Sequence, residues 1–314
     1  MCFERMPEPS AYHAPVLVGQ VTELLAGSRS VLDCTLGGGG HALALLQAGV
    51  ERVVGIDRDP DALEAAAARL RSYADAGRLV TEESNYAALD ELASLAGARF
   101  DGILLDLGVS SHQIDAEDRG FTFRAGARLD MRMGQDAIAT AADLLNEADE
   151  RSLAAVFRDY GDEPRAARLA HEIVRRRANR PFSTSDDLVG AIRAVLGARS
   201  GAPEFARLFQ AVRIAVNEEL TGLERALPAL RDRLAPGGTM VVIAYHSGED
   251  RLVKNAFREW SASCVCPPRQ PVCTCRGRPL GSTLTRRPII ASDDEITRNP
   301  RARSARLRAW RSAE

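Results

Sequence analysis

Lysine is almost absent from this 314-residue chain: Lys254 stands alone among 41 basic residues. Arginine carries nearly all the positive charge, a bias that weakens any functional argument from arginine abundance alone. No run of about 18 apolar residues occurs, which excludes a helical membrane span and leaves no membrane partner expected. The opening stretch MCFERMPEPS lacks an apolar segment of secretory type, so a cytoplasmic location is expected. There the six cysteines would stay reduced unless they bind metal. Internal repeats are also missing. A net charge of −2 excludes a globally basic protein, yet it hides an asymmetry. Residues 276–314 hold ten Arg against four acidic residues, a local +6 that leaves −8 on the rest. Such a split suits a basic face meeting a polyanion. A solvated, salt-bridged tail would look the same.

What is present reads as α/β. SVLDC (30–34), ERVVGID (51–57), RLVTEE (78–83) and FDGILLD (100–106) are short apolar runs expected as strands. Helical patterns such as HALALLQAG separate them, and a Pro60 helix start follows the Asp59 cap. Alternation of this kind predicts a parallel sheet covered by helices. After residue 114 the texture changes. An irregular, Arg-rich stretch, DAEDRGFTFRAGARLDMRM (115–133), precedes helical patterns at 140–148, 165–179 and 184–197. One long helix is expected from about 205 to Pro236-Gly237-Gly238, and the strand TMVVIAY (239–245) then resumes the sheet. The expected organisation is a discontinuous α/β domain, residues 1–114 and 213–314, interrupted by a helical domain at 115–212.

The stretch DCTLGGGGHA (33–42) raises the functional question. Glycine loses more entropy on ordering than any other residue, so four in a row need a reason. They join a strand to a helix, where backbone N–H groups and the helix N-terminus favour electron-rich ligand groups. Gly37-x-Gly39-x-x-Ala42 fits the dinucleotide fingerprint, and Asp57, 17 residues past Gly40, could hold ribose hydroxyls. Dehydrogenases and S-adenosylmethionine-dependent methyltransferases share this grammar, and a purely structural turn is the bland alternative. Asp106 favours the methyltransferase reading, because it ends the fourth strand beside the glycine loop, where open α/β sheets bind ligands. A second dinucleotide-binding half is missing, since the helical insertion takes its place.

HAPVL (13–17), DCTLGGGGH (33–41), GIDRDPDA (55–62), DGILLDLGVSS (101–111), RGFTF (119–123), LDMRM (129–133), FQAVRIAVNEEL (209–220), HSGEDR (246–251) and NPRARSARLR (299–308) follow one another in order. Together they resemble the motifs of the ribosomal RNA small subunit methyltransferase H family. The resemblance implies a Rossmann-like class I S-adenosylmethionine-dependent methyltransferase fold with an inserted helical domain. It also implies methylation of the exocyclic N4 of a cytosine in the decoding centre of bacterial 16S ribosomal RNA. By the same resemblance Gly39, Gly40 and His41 would line the methionine and sulfonium end of S-adenosylmethionine, Asp57 its ribose and Tyr86 its adenine. Asp106 and Gln113 would complete the cofactor site. His112 stands where the family usually has Pro, and Gly248 where it has Leu.

That chemistry asks for hydrogen-bond acceptors on a poorly nucleophilic amine and alignment with an activated methyl group. The candidate acceptors are Asp106, Ser110 and Ser111, with His246 as a proton relay; loop capping is the alternative for the serines. An unstacked base needs aromatic partners, for which Phe121, Phe123 and Tyr245 are candidates. Arg213 and Asn217, four apart on one helix face, could reach the same base, although a salt bridge and a cap would also explain them. Arg175, Arg176, Arg177, Arg180 and the C-terminal arginines are candidate phosphate contacts. Finally, CVCPPRQPVCTC (264–275) brings Cys264, Cys266, Cys273 and Cys275 within 12 residues. Four thiolates suit tetrahedral zinc, and a reduced flexible loop is the alternative.

Overall fold

The computed structural model describes residues 15–110, 113–114, 116–267, 270 and 272–314. The chain divides into two compact units, Met1–Gly108 with Leu220–Glu314, and Val109–Glu219. The first unit is built on a seven-stranded sheet of order β3-β2-β1-β4-β5-β7-β6. Its strands are β1 (Ser30–Asp33), β2 (Arg52–Asp57), β3 (Leu79–Glu83), β4 (Phe100–Asp106), β5 (Leu234–Ala244), β6 (Gly281–Thr283) and β7 (Arg306–Ser312). The first five run parallel, and β7 is antiparallel between β5 and β6. This is a class I methyltransferase-type Rossmann-like sheet. From β1 the chain winds outward through β2 to β3, then returns to lay β4 on the other side of β1, so the topological switch point lies between β1 and β4.

The strands alternate sides with period two, and each side has its own core. Val31, Val53, Leu104, Val241, Ile243 and Leu307 face one cluster with the Val18–Leu24 and Gly40–Gln47 helices. Leu32, Val54, Ile103, Leu105, Met240, Val242 and Trp310 face the other, covered by the Glu219–Asp232 and Ser247–Trp260 helices. Parallel strands buried on both faces explain the continuous apolar runs seen in the sequence.

Strand β7 corrects the expectation for the basic tail. Arg308 is not a phosphate contact but a buried side chain, 8% exposed, paired bidentately with Asp250 at 2.6 and 3.1 Å. Arg311 donates to Thr239 Oγ1 at 3.3 Å. Alternating arginines masked a strand whose other residues, Leu307, Ala309 and Trp310, are wholly buried.

In the second unit the helices Ala141–Glu147, Glu150–Asp159, Ala166–Arg177, Ser185–Leu196 and Ala202–Val216 surround their own core of Leu129, Leu145, Phe157, Leu169, Leu188 and Leu208 among others. Capping is as the sequence predicts at Thr184, whose N–H donates to Asp187 at 3.0 Å. The long helix expected from 205 is two helices, because Glu218 takes a left-handed φ of 50°. Asn217 is the C-cap residue at this break. Its amide turns into the unit, accepting from Met133 N–H at 2.8 Å and donating to the Met131 carbonyl at 2.7 Å. It is thus a structural residue at 4% exposure rather than a base contact. Arg213 likewise forms a fork with Glu219 at 2.8 and 2.9 Å.

The arginine run is also partnered within this unit. Arg175 and Arg176 share Glu172, Arg177 caps the Leu145 and Ala148 carbonyls at 2.9 and 2.7 Å, and Arg180 meets Asp187 at 3.1 Å. Phe123 packs edge-on against Phe205 and Phe209, with ring centres 6.0 and 6.1 Å apart, and Phe121 lies on the same core.

Asn217→Ala strands a buried N–H and a buried carbonyl, each costing about 1–3 kcal/mol. Urea denaturation should show a loss of about 2–4 kcal/mol. An unchanged midpoint would mean that Asn217 does not hold the 131–133 turn.

Candidate active site

Four neighbouring parallel strands, β2, β1, β4 and β5, end at the same edge of the sheet, and each delivers a polar side chain there. β1 delivers Asp33, β2 Asp57 and β4 Asp106, while Tyr245 follows β5. These carboxyl ends flank the switch point, where the backbone of an open sheet parts and a ligand can enter.

The glycine loop is shaped by its own neighbours. Gly37 and Gly39 have left-handed φ of 53° and 74°. A Cβ at Gly39 would lie 2.7 Å from Leu70 Cδ1, and one at Gly40 would meet the Pro15 ring at 3.0 Å. The loop therefore passes close to side chains of this chain: the left-handed backbone at Gly39 favours glycine, and Gly40 packs tightly against the Pro15 ring. Asp57 holds the loop from the other side. Its Oδ2 accepts the Gly37 N–H at 2.7 Å and its Oδ1 the Asp59 N–H at 3.0 Å. Burial pushes the Asp57 carboxyl up to about 6, even though the two N–H groups oppose the rise.

The loop leads into the Gly40–Gln47 helix, whose first turn carries His41, only 6% exposed. His41 Nε2 lies 3.4 Å from Asp106 Oδ2, without the alignment of a hydrogen bond. The other Asp106 oxygen accepts from the Tyr245 hydroxyl at 2.8 Å, and the Asp106 N–H donates to Thr35 Oγ1 at 2.6 Å. Burial works against an imidazolium at His41, but the Asp106 carboxylate outweighs it, helped by Asp33 and Glu295, so the His41 pKa lies above its ordinary value. Burial, then the adjacent Asp106 charge, hold the Tyr245 phenol well above its usual range, so it remains a donor.

Asp33 is a member of this site that sequence reasoning missed. It is fully buried, accepts the Thr35 N–H at 3.2 Å with Oδ1, and has no partner for Oδ2. Burial lifts its carboxyl to about 7. The available signal was an acid closing the apolar run SVLD, the same signal that marked Asp57 and Asp106. His41 Nδ1 is likewise buried without a partner. Buried polar atoms are nearly always satisfied, so three orphans in one cluster, Asp33 Oδ2 and both His41 ring nitrogens, point to a ligand. The pair offers an acceptor for an ammonium and a donor for a carboxylate, which fits the amino-acid end of S-adenosylmethionine.

The remaining candidates are placed as follows. Tyr86 begins the 3-10 helix Tyr86–Glu91 after β3, half-buried against the core. His246 is not poised as a relay. It caps the Ser247–Trp260 helix, with Nδ1 accepting the Gly248 N–H at 3.2 Å and Nε2 3.3 Å from Glu249. Glu249, 2% exposed, accepts the N–H groups of Tyr245 and His246 at 2.8 and 3.2 Å and so fixes the turn after β5. In the second unit, Ser110 and Gln113 bond each other reciprocally, at 3.1 and 3.0 Å, which engages the Ser110 hydroxyl in capping. Ser111 lies outside the described residues. The four cysteines converge in the first unit, with every Sγ within 4.8 Å of the others.

Residues 10–313 match the model of the MraW methylase family. The chain is 68% identical over 302 residues to ribosomal RNA small subunit methyltransferase H of Gemmatimonas aurantiaca, covering 96% of both chains. It is 48% identical to the protein of the same name from Heliobacterium modesticaldum, covering 95% of this chain and 97% of that one. An rRNA methylase structure from Streptococcus thermophilus is 11% identical and spans 95% of this chain and 94% of its own, with a TM-score of 0.40.

Asp33 makes the ligand-free protein sensitive to pH. A carboxyl with a raised folded pKa binds its proton more tightly when folded, so its stabilising effect is intact below the unfolded value near 4 and is lost as pH rises through about 7. That rise corresponds to about 4 kcal/mol at full ionisation. Urea midpoints should decline from about pH 4 to 8, and Asp33→Asn should flatten much of the decline. An identical profile in the variant would remove Asp33 as its source.

Proposed function

The chain belongs to the MraW methylase family, and from that premise we propose that it transfers the methyl group of S-adenosylmethionine to the exocyclic N4 of a cytosine in small-subunit (16S) ribosomal RNA. The observation that carries this reading is the cluster of buried Asp33 and His41 with Asp106 and Tyr245 at the switch point, with its three orphaned polar atoms. A dinucleotide reading of the glycine loop has less support, because an antiparallel β7 follows β5 where a second mononucleotide-binding half would run parallel.

Asp33 and His41 would hold the amino-acid end of the cofactor, Asp57 its ribose and Tyr86 its adenine. When bound, the cofactor supplies a methyl group already activated by its sulfonium. The cytosine amine is weakly nucleophilic, because its lone pair is delocalised into the ring. Asp106 would accept a hydrogen bond from that amine and favour the positive charge the nitrogen gains as its bond to the methyl carbon forms and the carbon–sulfur bond breaks, the electron pair returning to sulfur. The alkylated nitrogen then releases a proton readily, so no strong base is needed. Tyr245 fixes the carboxylate by its 2.8 Å hydrogen bond, and His41 balances the charge on its other oxygen. Alignment of the two reactants supplies several kcal/mol of barrier reduction. The base must leave its stack to reach this edge.

The helical unit is the proposed RNA-recognition element, with the exposed Arg175 and Arg180 as its best remaining phosphate contacts. Such an enzyme works in the cytoplasm, where the small subunit is made. Among the described residues no helix is long and apolar enough to cross a membrane.

Incubating the protein and S-adenosylmethionine with small subunits from a strain lacking this activity should produce N4-methylcytidine in 16S RNA by mass spectrometry. Absence of that nucleoside would defeat the reading. Asp106→Asn keeps shape and removes charge, so single-turnover transfer at saturating cofactor should slow at least about tenfold, or ~1.4 kcal/mol, with RNA affinity nearly unchanged. Wild-type speed once saturated would leave Asp106 a cofactor ligand only.

A further inference from the structure

The Cys264–Cys275 loop takes no part in the site described above, yet it has the most unusual side-chain geometry elsewhere in the first unit. Cys264 lies 3.9 Å from Cys273 and 3.8 Å from Cys275, sulfur to sulfur. Cys273 lies 3.8 Å from Cys266 and 3.5 Å from Cys275. Zinc–thiolate bonds of about 2.3 Å at tetrahedral angles place sulfurs about 3.8 Å apart. Disulfides need about 2.05 Å, so none of these pairs is bonded. We propose that the four thiolates of Cys264, Cys266, Cys273 and Cys275 hold one structural zinc ion in a closed tetrahedral site.

Packing does not explain the convergence. Cys264 and Cys273 are exposed, and the apolar residues of the loop point outward, with Val265 40% and Val272 69% exposed. Among the described residues of the loop none belongs to a core, the circumstance in which small segments depend on a metal or a cross-link. Sequence spacing contributes directly. In extended backbone, residues i and i+2 project to one side, so each Cys-x-Cys pair presents two sulfurs together. Six residues separate the two pairs in sequence, yet all four Sγ atoms lie within 4.8 Å of one another.

The surroundings also suit bound thiolates. The Val265 N–H donates to Cys275 Sγ at 3.4 Å, the kind of contact that orients a ligand and stabilises its charge. Four thiolates around one divalent cation leave a net negative charge, and Arg276 and Arg278 follow the last cysteine closely. Arg276 closes the base of the loop, donating to the Glu259 carbonyl and to the Ala262 carbonyl. Beside it the Leu280 N–H donates to the Trp260 carbonyl at 2.8 Å, so the two ends of the loop are tied together. The metal would therefore fix the connection between the Ser247–Trp260 helix and the three-residue edge strand β6.

The test uses the full-length protein, purified without chelator. Elemental analysis should find about one zinc per chain, and the four thiols should resist alkylation until a mercurial reagent releases the metal. The double variant Cys264→Ser, Cys273→Ser should lose the zinc while keeping its S-adenosylmethionine affinity. Because that variant could fail to fold, the thiol-protection measurement on the wild-type protein stands by itself. Metal-free wild-type protein with four readily alkylated thiols would overturn the proposal. So would iron in place of zinc, or zinc retained at full occupancy by the double variant.

Discussion

The carboxylate of Asp106 is held between a phenol and an imidazole, and the carboxyl edge of the sheet is organised around that arrangement. A buried charge is expensive unless it is paired and hydrogen-bonded. Tyr245 supplies the hydrogen bond and the His41 ring lies 3.4 Å from the other oxygen, while Thr35 takes the backbone N–H of the same residue. Those three partners come from the end of β5, the first turn of the Gly40–Gln47 helix and the end of β1. One residue at the tip of β4 thereby locks three neighbouring elements at the switch point. Glu249 extends the lock by gripping the turn that carries Tyr245 and His246.

The four glycines take their meaning from the same constraint. The loop must pass from Asp33 to His41 while Leu70 and Pro15 crowd it, and Asp57 pins it through the Gly37 N–H. A side chain at Gly39 would be strained by its left-handed backbone, and one at Gly40 would press on the Pro15 ring. Ligand approach is thus only part of why the backbone is bare there. Asp57 serves the loop first, and its proposed role at the ribose is compatible with both of its backbone bonds.

Much of the α/β unit was legible because parallel strands buried on both faces leave unbroken apolar runs bounded by acids. β1, β2 and β4 are such runs, whereas β3 is half exposed. β7 was not legible, because Arg306, Arg308 and Arg311 interrupt it and the partner Asp250, far away in sequence, neutralises the buried Arg308. The break at Asn217 was hidden for a related reason. Its helix-compatible surroundings say nothing about an amide that satisfies Met131 and Met133, 86 and 84 residues away in the chain. At the site, Asp57, Asp106 and His41 were found by position and motif. Asp33 was overlooked because an acid just ahead of a run of glycines reads as part of the strand, and its orphaned oxygen exists only in three dimensions.

Asp106, with Asp33 and Glu295, raises the proton affinity of the buried His41 ring above its ordinary value. Nuclear magnetic resonance titration of the His41 ring nitrogens in the ligand-free protein reads this state without any assay of transfer. The imidazolium should persist above the ordinary histidine value of about 6.5, and Asp106→Asn should lower the pKa. A His41 that loses its proton at or below about 6.5, unaffected by Asp106→Asn, would contradict the role given to the carboxylate.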